Sequence, residues 1–287
     1  MSVRIVIDST ADVAPEIAGR FAVVPLTVTF GTEEFVDGVT ISHQEFYNRL
    51  IESDVMPTTS QATPAAFDAV LSEIAAAGDT AVIITLAHQL SGTCQSARLA
   101  AAEYREFYVV DSGSVTIGAG ILAEYALNCA DSGMSAREIA AALEEKKKDI
   151  CLIAMLDTLE YLKRGGRISA AVAFAGGLLN IKPVVNIEDG VIHILGKARG
   201  SRQANNLLVQ EIGKAGGIDF SQPILLGYTG LTDALLKKYI ADSTPLWEKG
   251  VDSLRCTVIG SVIGTHAGPG AVAAAFFRKP GAPADNA

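Results

Sequence analysis

The sequence predicts an α/β protein with two domains, and three observations support that prediction. With 287 residues, the chain is long for one hydrophobic core and long enough for two packed domains. Hydrophobic residues make up 49% of it and charged residues 19%, as in folded globular proteins. Short apolar runs alternate with helical segments in the first half, which predicts a mostly parallel sheet covered by helices on both faces.

The first half is predicted to contain strands and helices in alternation. The apolar runs VRIVID, FAVVPLTVTF, TAVIITLA and FYVVD predict strands at 3–8, 21–30, 80–87 and 107–111. Helices are predicted at 9–20, 43–53, 63–78, 93–104, 117–133 and 135–149. The helix at 63–78 begins with Thr63 and Pro64, a pair typical of an N-cap followed by the first helical position.

The second half has a different pattern, which predicts a mixed sheet with helices on one face. Asp189-Gly190 separates two runs of alternating hydrophobicity, which is a strong signal for a β-hairpin. The domain boundary is placed near residue 150, which gives domains at 1–150 and 151–287. Besides the hairpin, strands are predicted at 151–157, 223–228 and 255–263, a turn-rich connector at 161–169, and helices at 170–179, 201–215, 232–241 and after Gly270.

Charge and cysteine usage exclude some classes of protein. The net charge of −9 and the pI near 5.0 argue against a nucleic-acid-binding protein. The cysteines lack zinc-like spacing, so we expect reduced thiols. A strand is predicted to begin within three residues of Met1, so we expect no signal peptide. The 22 residues from Cys256 to Phe277 carry no formal charge, but His266-Ala-Gly-Pro-Gly270 interrupts them, which argues against a transmembrane helix. We therefore expect a cytoplasmic protein.

Hydroxyl-rich loops are the first candidate for a binding site. Ligands of open parallel α/β sheets bind beyond the carboxyl ends of the strands, where we expect Asp8-Ser9-Thr10, TTSQ at 58–61, Ser91-Gly92-Thr93 and DSGS at 111–114. Together these loops predict a polar cradle for an anionic or hydroxylated group at helix N-termini. Helix capping explains any single hydroxyl better, but the segment at 58–60 supplies three hydroxyls where one cap suffices.

His266 and a few cations are the remaining candidates. His266 is expected in a loop between the strand at 255–263 and the final helix, where a neutral or protonated imidazole can donate to a carboxylate. Arg167 stands beside two glycines, and Lys197, Arg199 and Arg202 form a short basic cluster. Both patterns are compatible with phosphate binding or with docking of a partner.

Eight segments form the most specific pattern in the chain: IVIDSTADV (5–13), TTSQATPAAF (58–67), LSGTCQSA (90–97), VVDSGSVTIGAG (109–120), LEYLKRGGRIS (159–169), IKPVVNIEDG (181–190), ARGSRQA (198–204) and IGTHAGPGA (263–271). Taken together and in order, they resemble the DegV family of bacterial fatty-acid-binding proteins. They extend over nearly the whole chain, so the resemblance is far more specific than one hydroxyl-rich loop. Three departures concern ligand preference: Ala62-Thr63 replaces a usual proline position, AHQ at 87–89 replaces a serine-rich stretch, and Cys94 replaces an aromatic residue.

The resemblance implies that the chain buries one long-chain fatty acid between its two domains and uses no cofactor. In this family the carrier is not itself an enzyme, and it presents the carboxylate to a separate fatty-acid kinase that makes acyl-phosphate for phospholipid synthesis. Small residues at 170–179 and 117–127 are suited to lining the tail. Carried over by motif, the ligand-binding set is Thr59, Ser60, Ser91, Gly92, His266 and Arg167, and the set that docks the partner or its phosphate is Lys197, Arg199 and Arg202.

Two alternatives stay open at this point. Ser91 and His266 are also compatible with a stand-alone hydrolase or phosphotransferase, although the chain contains no P-loop, no G-x-S-x-G nucleophile elbow and no HExxH metal motif. The other alternative is a module that senses lipid without presenting it. Peripheral contact with a membrane is compatible with every lipid-binding interpretation.

Overall fold

The strands of the protein form three sheets in the computed structural model, which describes residues 2–169, 180–247 and 254–281. The strands are β1 (Val3–Asp8), β2 (Ala22–Val24), β3 (Thr27–Phe30), β4 (Glu33–Val36), β5 (Thr58–Ser60), β6 (Thr80–Thr85), β7 (Phe107–Asp111), β8 (Ile150–Met155), β9 (Ile181–Glu188), β10 (Val191–Arg199), β11 (Leu225–Tyr228), β12 (Cys256–Val258) and β13 (Val272–Phe277).

Helices connect most of these strands. The α-helices of the described residues are α1 (His43–Glu52), α2 (Pro64–Ala76), α3 (Thr93–Ala101), α4 (Thr116–Asp131), α5 (Ala136–Lys146), α6 (Glu160–Arg164), α7 (Gly200–Lys214), α8 (Ala234–Asp242) and α9 (Ser261–Ala267). The predicted cap of α2 is confirmed, because the Thr63 side chain accepts a hydrogen bond from the Ala66 amide at 3.1 Å. None of these helices is long and apolar enough to cross a membrane.

The first sheet is parallel, with strand order β2-β1-β6-β7. Its central strands are continuous apolar runs because helices cover both faces. The helices α2 and α3 pack on the face that carries Val6 and Ile83, and α4 and α5 pack on the face that carries Ile7 and Ile84. The predicted doubly covered parallel sheet is therefore confirmed.

The second sheet is mixed, with strand order β10-β9-β8-β13-β11-β12. The predicted hairpin is confirmed, and both of its turn residues have positive φ, +47° at Asp189 and +76° at Gly190. The helices α7 and α8 pack on one face of this sheet, whereas α4 packs on the other. Helices therefore lie on both faces, and the prediction of one covered face is wrong.

Helix α4 lies between the two large sheets and contacts both of them. Its first half, residues 116–123, is buried on every side, as expected of a segment packed between two layers, whereas Asn128 and Asp131 in its second half are exposed. Small residues allow the close approach: a Cβ atom at Gly120 would collide with the Asp12 carbonyl, and one at Gly118 with the Ser114 hydroxyl. The two large sheets draw their strands from opposite sides of residue 150, and the domain boundary at that position stays a prediction.

Four predicted segments differ from the structure, three in the first half of the chain and one near its C-terminal end. The segment at 9–20 forms only a 3-10 helix, Pro15–Arg20. The run at 21–30 splits at Pro25, which has no amide to donate, so that β2 and β3 belong to different sheets. The hydroxyl-rich segment at 58–61 is mostly a strand, β5, in a small antiparallel sheet of order β4-β3-β5. The predicted strand at 255–263 ends at Val258 and continues as helix α9.

The segment after Gly270 is a strand rather than the predicted final helix. Its alanines favour a helix locally, but all of its residues are buried, and β13 pairs with β8 on one side and β11 on the other. A continuous apolar run that is covered on both faces is typical of a central strand. The predicted apolar helix at 170–179 lies outside the described residues.

Candidate functional site

A cavity of about 410 Å³ lies between the first and second sheets. We call it the inter-sheet cavity. Its walls are mostly aliphatic and come from both halves of the chain, for example from Leu86 and Leu90 after β6, from Ala154 in β8 and from Ala273 in β13. A cavity of this kind suits a ligand with a long apolar part.

Polar residues from several segments of the chain line this cavity, and we call the six that the sequence predicted the polar cluster. Six predicted residues line the cavity, namely Thr59, Ser60, Ser91, Gly92, Arg167 and His266. Two of them are in direct contact, because the Thr59 hydroxyl lies 2.9 Å from His266 Nε2. Arg167 Nε donates to the carbonyl of Leu90, the residue before Ser91, at 3.2 Å. The structure therefore brings together residues that are up to 207 positions apart in the sequence.

His266 is held in a neutral state. It lies in the last turn of α9, and burial, with a smaller contribution from the charge of Arg167, lowers its pKa from 6.5 to about 4. Its Nδ1 atom is buried and has no hydrogen-bond partner. With the ring hydrogen on Nε2, Thr59 accepts that bond and its own hydroxyl hydrogen stays available for a ligand in the cavity.

Gly165 sets the position of the imidazole. A Cβ atom at this residue would collide with His266 Nδ1. We therefore expect Gly165→Ala to push the ring away from Thr59 and to move the His266 pKa from about 4 up towards about 6.5, the value of a solvated histidine. The measurement is an NMR titration of the ring protons, with the His266 signals assigned by their loss in His266→Gln.

The control for this substitution is Gly213→Ala in α7, where an added Cβ meets nothing within 4 Å. This control should leave the His266 pKa unchanged. A Gly165→Ala protein that titrates like the wild type would show that the ring position does not depend on this glycine.

Ser91 serves the start of a helix and also faces the cavity. Its Oγ accepts a hydrogen bond from the Thr93 amide at 3.3 Å and lies 2.9 Å from the Thr93 hydroxyl. Gly92, the N-cap of α3, has no side chain to do this. A Cβ atom at Gly92 would also collide with Gln61, another polar residue that lines the cavity. Capping and ligand contact are therefore compatible at Ser91.

Two of the four hydroxyl-rich loops do not line the cavity in the part of the chain that the structure describes. Asp8 instead accepts hydrogen bonds from the amides of Thr10 and Leu86 and from the Thr10 hydroxyl. Likewise, Ser112 donates to the carbonyl of Ser114 at 3.0 Å. The predicted cradle of four loops is thus reduced to two, because these side chains satisfy local backbone groups.

The basic cluster lies away from the inter-sheet cavity. Lys197, Arg199 and Arg202 are exposed, and none of them is among the described residues that line the cavity. Arg202 lies on α7, which packs on the opposite face of the second sheet. It is close to Asp242, whose pKa is lowered by hydrogen bonds from Lys238 and Asn205 and by the charge of Arg202. Arg202 is thus placed away from the polar cluster, and its role in docking a partner or its phosphate stays a prediction.

The sequence analysis missed Thr116 and Asp12. Thr116 lines the cavity at the start of α4 and has a φ of +45°, which is unusual for a β-branched residue. Its hydroxyl donates to Asp12 Oδ2 at 2.5 Å, and Asp12 Oδ1 accepts from the Gly260 amide at 2.9 Å. Because Asp12 is fully buried, its pKa is raised from 3.8 to about 8. This carboxyl group joins α4 to the start of α9, the helix that carries His266.

Comparison with known proteins identifies similar chains along the whole length. A model of the DegV family, described as uncharacterised proteins, matches residues 2–279. A DegV domain-containing protein of Caldanaerobacter subterraneus is 33% identical over 283 residues, covering 96% of this chain and 99% of that protein. The structure of a fatty-acid-binding DegV family protein from Thermus thermophilus is 30% identical, with a TM-score of 0.84 and coverage of 96% and 100%. A stearic-acid-binding protein from Eubacterium ventriosum is 26% identical, with a TM-score of 0.86 and coverage of 97% and 99%.

Proposed function

Because the chain belongs to the DegV family, we propose that it binds one long-chain fatty acid in the inter-sheet cavity and presents the carboxylate to a partner kinase. One observation carries the proposal: a cavity with mostly aliphatic walls is also lined by the polar cluster, in which Thr59 and His266 are in direct contact. That distribution matches a molecule with a long apolar tail and one polar head. The similar proteins from Thermus thermophilus and Eubacterium ventriosum support the ligand class.

The tail supplies most of the affinity. Burial of a chain of about fifteen methylenes at ~0.8 kcal/mol each contributes on the order of 12 kcal/mol before costs are subtracted. Loss of translational freedom and ordering of the chain offset much of this. The polar cluster therefore needs only to orient the head group and to exclude ligands without a carboxylate.

The head group is proposed to contact Thr59, Ser60, Ser91, Gly92 and His266, with Arg167 beside them. The histidine is neutral at pH 7 because its pKa is lowered to about 4, so the direct donors are uncharged. Neutral donors leave more negative charge on the carboxylate oxygens than a close arginine or lysine pair would. Such a carboxylate remains nucleophilic enough to be phosphorylated.

The proposed reaction takes place on the partner kinase. A carboxylate oxygen attacks the γ-phosphorus of ATP, an oxygen–phosphorus bond forms, and the bond from that phosphorus to the ADP leaving group breaks. The product, an acyl-phosphate, is an activated acyl donor for phospholipid synthesis in the cytoplasm. The carrier contributes no catalytic residue. Exposed cations, namely Arg167, Lys197, Arg199 and Arg202, are proposed to dock the kinase or its bound phosphates.

The geometry does not favour the stand-alone hydrolase. In a serine nucleophile system the base must lie within hydrogen-bond reach of the hydroxyl, whereas His266 Nε2 contacts Thr59 and the Ser91 hydroxyl contacts Thr93. Ser91 therefore lacks the activated arrangement among the described residues.

The proposal is tested by native mass spectrometry of the purified protein, followed by denaturing extraction of any bound lipid. We expect one fatty acid per chain, and a smaller bound fraction in Ser91→Ala. The loaded protein is then incubated with ATP and a bacterial fatty-acid kinase, and acyl-phosphate is trapped with hydroxylamine. A chain that is empty and refuses added palmitate and oleate contradicts the proposal. Binding without acyl-phosphate would instead favour the lipid-sensing alternative.

A further inference from the structure

A second cavity, of about 440 Å³, lies next to the inter-sheet cavity. We call it the polar cavity, because its lining includes Asp111, Lys147, Glu188 and Arg278. The Arg278 Nε atom is buried without a hydrogen-bond partner, as is Asn186 Oδ1 from the same lining. An acyl tail gains little by entering such a space, because it would cover polar groups without satisfying their hydrogen bonds.

Two side chains, those of Leu152 and Ile187, line both cavities. We call this pair the end wall. Pairing between β8 and β9 stops at Ile153↔Asn186, so Leu152 and Ile187 stand where the next pair would form. The strands diverge from there, although β8 stays paired with β13 and β9 with β10. The polar cavity therefore lies in the gap between the diverging strands β8 and β9. The end wall separates this gap from the inter-sheet cavity.

The end wall is separated along β8 from the part of the cavity near His266. Leu156, Ala154 and Leu152 line the cavity at every second residue along one strand direction. Leu156 is the residue nearest in sequence to α6 and to Gly165, which touches His266. Leu156 lies four residue steps of extended chain from Leu152, which corresponds to about 13 Å. A fatty acid with its carboxylate at His266 thus directs its tail towards the end wall.

We propose that Leu152 and Ile187 set the longest acyl chain that this protein accepts. This inference rests on the proposed function and adds a chain-length limit to it. A tail that ends before the wall gains roughly fourfold in affinity for each further buried methylene. A longer tail must displace the wall and pass into the polar cavity, so the gain stops there. Affinity is expected to rise with chain length up to the wall and then to fall.

The test is a chain-length profile of dissociation constants for saturated fatty acids of even carbon number from 12 to 24, measured with the full chain after delipidation. Leu152→Ala and Ile187→Ala together join the two cavities. Consider the shortest fatty acid that is too long for the wild type. The double variant is expected to bind this fatty acid at least tenfold more tightly than the wild type does. An unchanged cut-off in the folded double variant overturns the proposal.

Two further variants keep the test independent of damage to folding. Leu156→Ala removes the same atoms from the residue that directly follows β8, on the side of the polar cluster, so it should weaken binding of all chain lengths alike and leave the cut-off unchanged. Ala154→Leu adds volume on the cavity side without leaving a void, and it should move the cut-off to a shorter chain. If neither the double variant nor Ala154→Leu moves the cut-off, residues other than Leu152 and Ile187 set the longest accepted acyl chain. If the wild type binds no fatty acid of any length, the result contradicts the proposed function itself and not only the chain-length limit.

Discussion

Asp12→Asn is expected to stabilise the protein at pH 8, where the buried Asp12 carboxyl group begins to ionise, and to change its stability little at pH 5. Burial raises the Asp12 pKa to about 8 in the folded protein, whereas an unfolded aspartate has a pKa of about 3.9. Between these values the folded state binds a proton that the unfolded state releases. Stability is therefore greatest below about pH 4 for this group and falls as the pH rises towards 8.

Asparagine imitates the protonated carboxyl group but does not titrate. Its amide oxygen can accept from the Gly260 amide, and its amide nitrogen faces the Thr116 hydroxyl, so both observed contacts are kept. With a shift of this size, the free energy of unfolding at pH 8 should rise by several kcal/mol relative to the wild type, on the order of 5 to 10 °C in Tm. At pH 5 the two proteins should differ little.

The measurement is Tm by calorimetry from pH 5 to pH 8.5. Asp54→Asn, which removes an exposed carboxylate, is the control and should leave the pH profile as it is. Asp8 and Asp37 are also buried, and their pKa values are also raised, so part of the pH dependence should persist in Asp12→Asn. Equal loss of Tm in the variant and the wild type would show that Asp12 is ionised in the folded protein.

Local sequence patterns predicted the parts of the fold that depend on local chemistry. The apolar runs of β1 and β6, the capped start of α2 and the hairpin turn at Asp189-Gly190 all appear as predicted. In each case the residues themselves set the backbone: a strand covered on both faces must be apolar throughout, and a two-residue hairpin turn needs positive φ. Such features need no knowledge of distant residues.

Local patterns failed where the partners are distant. The alanine-rich segment from Val272 is a strand because β8 and β11 pair with it, and its intrinsic preference for a helix is overridden. The site shows the same limit. The contact of Thr59 with His266 joins residues 207 positions apart, and no local pattern identifies that pair. The ordered family motifs contain both residues and also Asp12, Thr116 and Gly165, but the roles of these last three follow only from contacts between distant segments.

Thr59→Val and His266→Gln are each expected to weaken fatty acid binding by roughly tenfold to a hundredfold. The Thr59 hydroxyl lies 2.9 Å from His266 Nε2, and both residues line the inter-sheet cavity. A hydrogen bond to a charged acceptor contributes about 1.5 to 3 kcal/mol, which corresponds to roughly that range of affinity. Since the threonine and the histidine act as one hydrogen-bonded pair, the double variant should lose less than the sum of the two single losses.

The head group and the tail can be separated by the choice of ligand. Dissociation constants are measured by calorimetry for palmitate and for its methyl ester, which keeps the tail and lacks the negative charge. The variants should weaken palmitate binding far more than binding of the ester, because they remove donors to the carboxylate and leave the aliphatic walls intact. Thr58→Val is the matched control, since Thr58 lies in the same strand, is exposed and is not among the cavity residues. Equal losses for palmitate and ester would mean that Thr59 and His266 shape the cavity without binding the carboxylate.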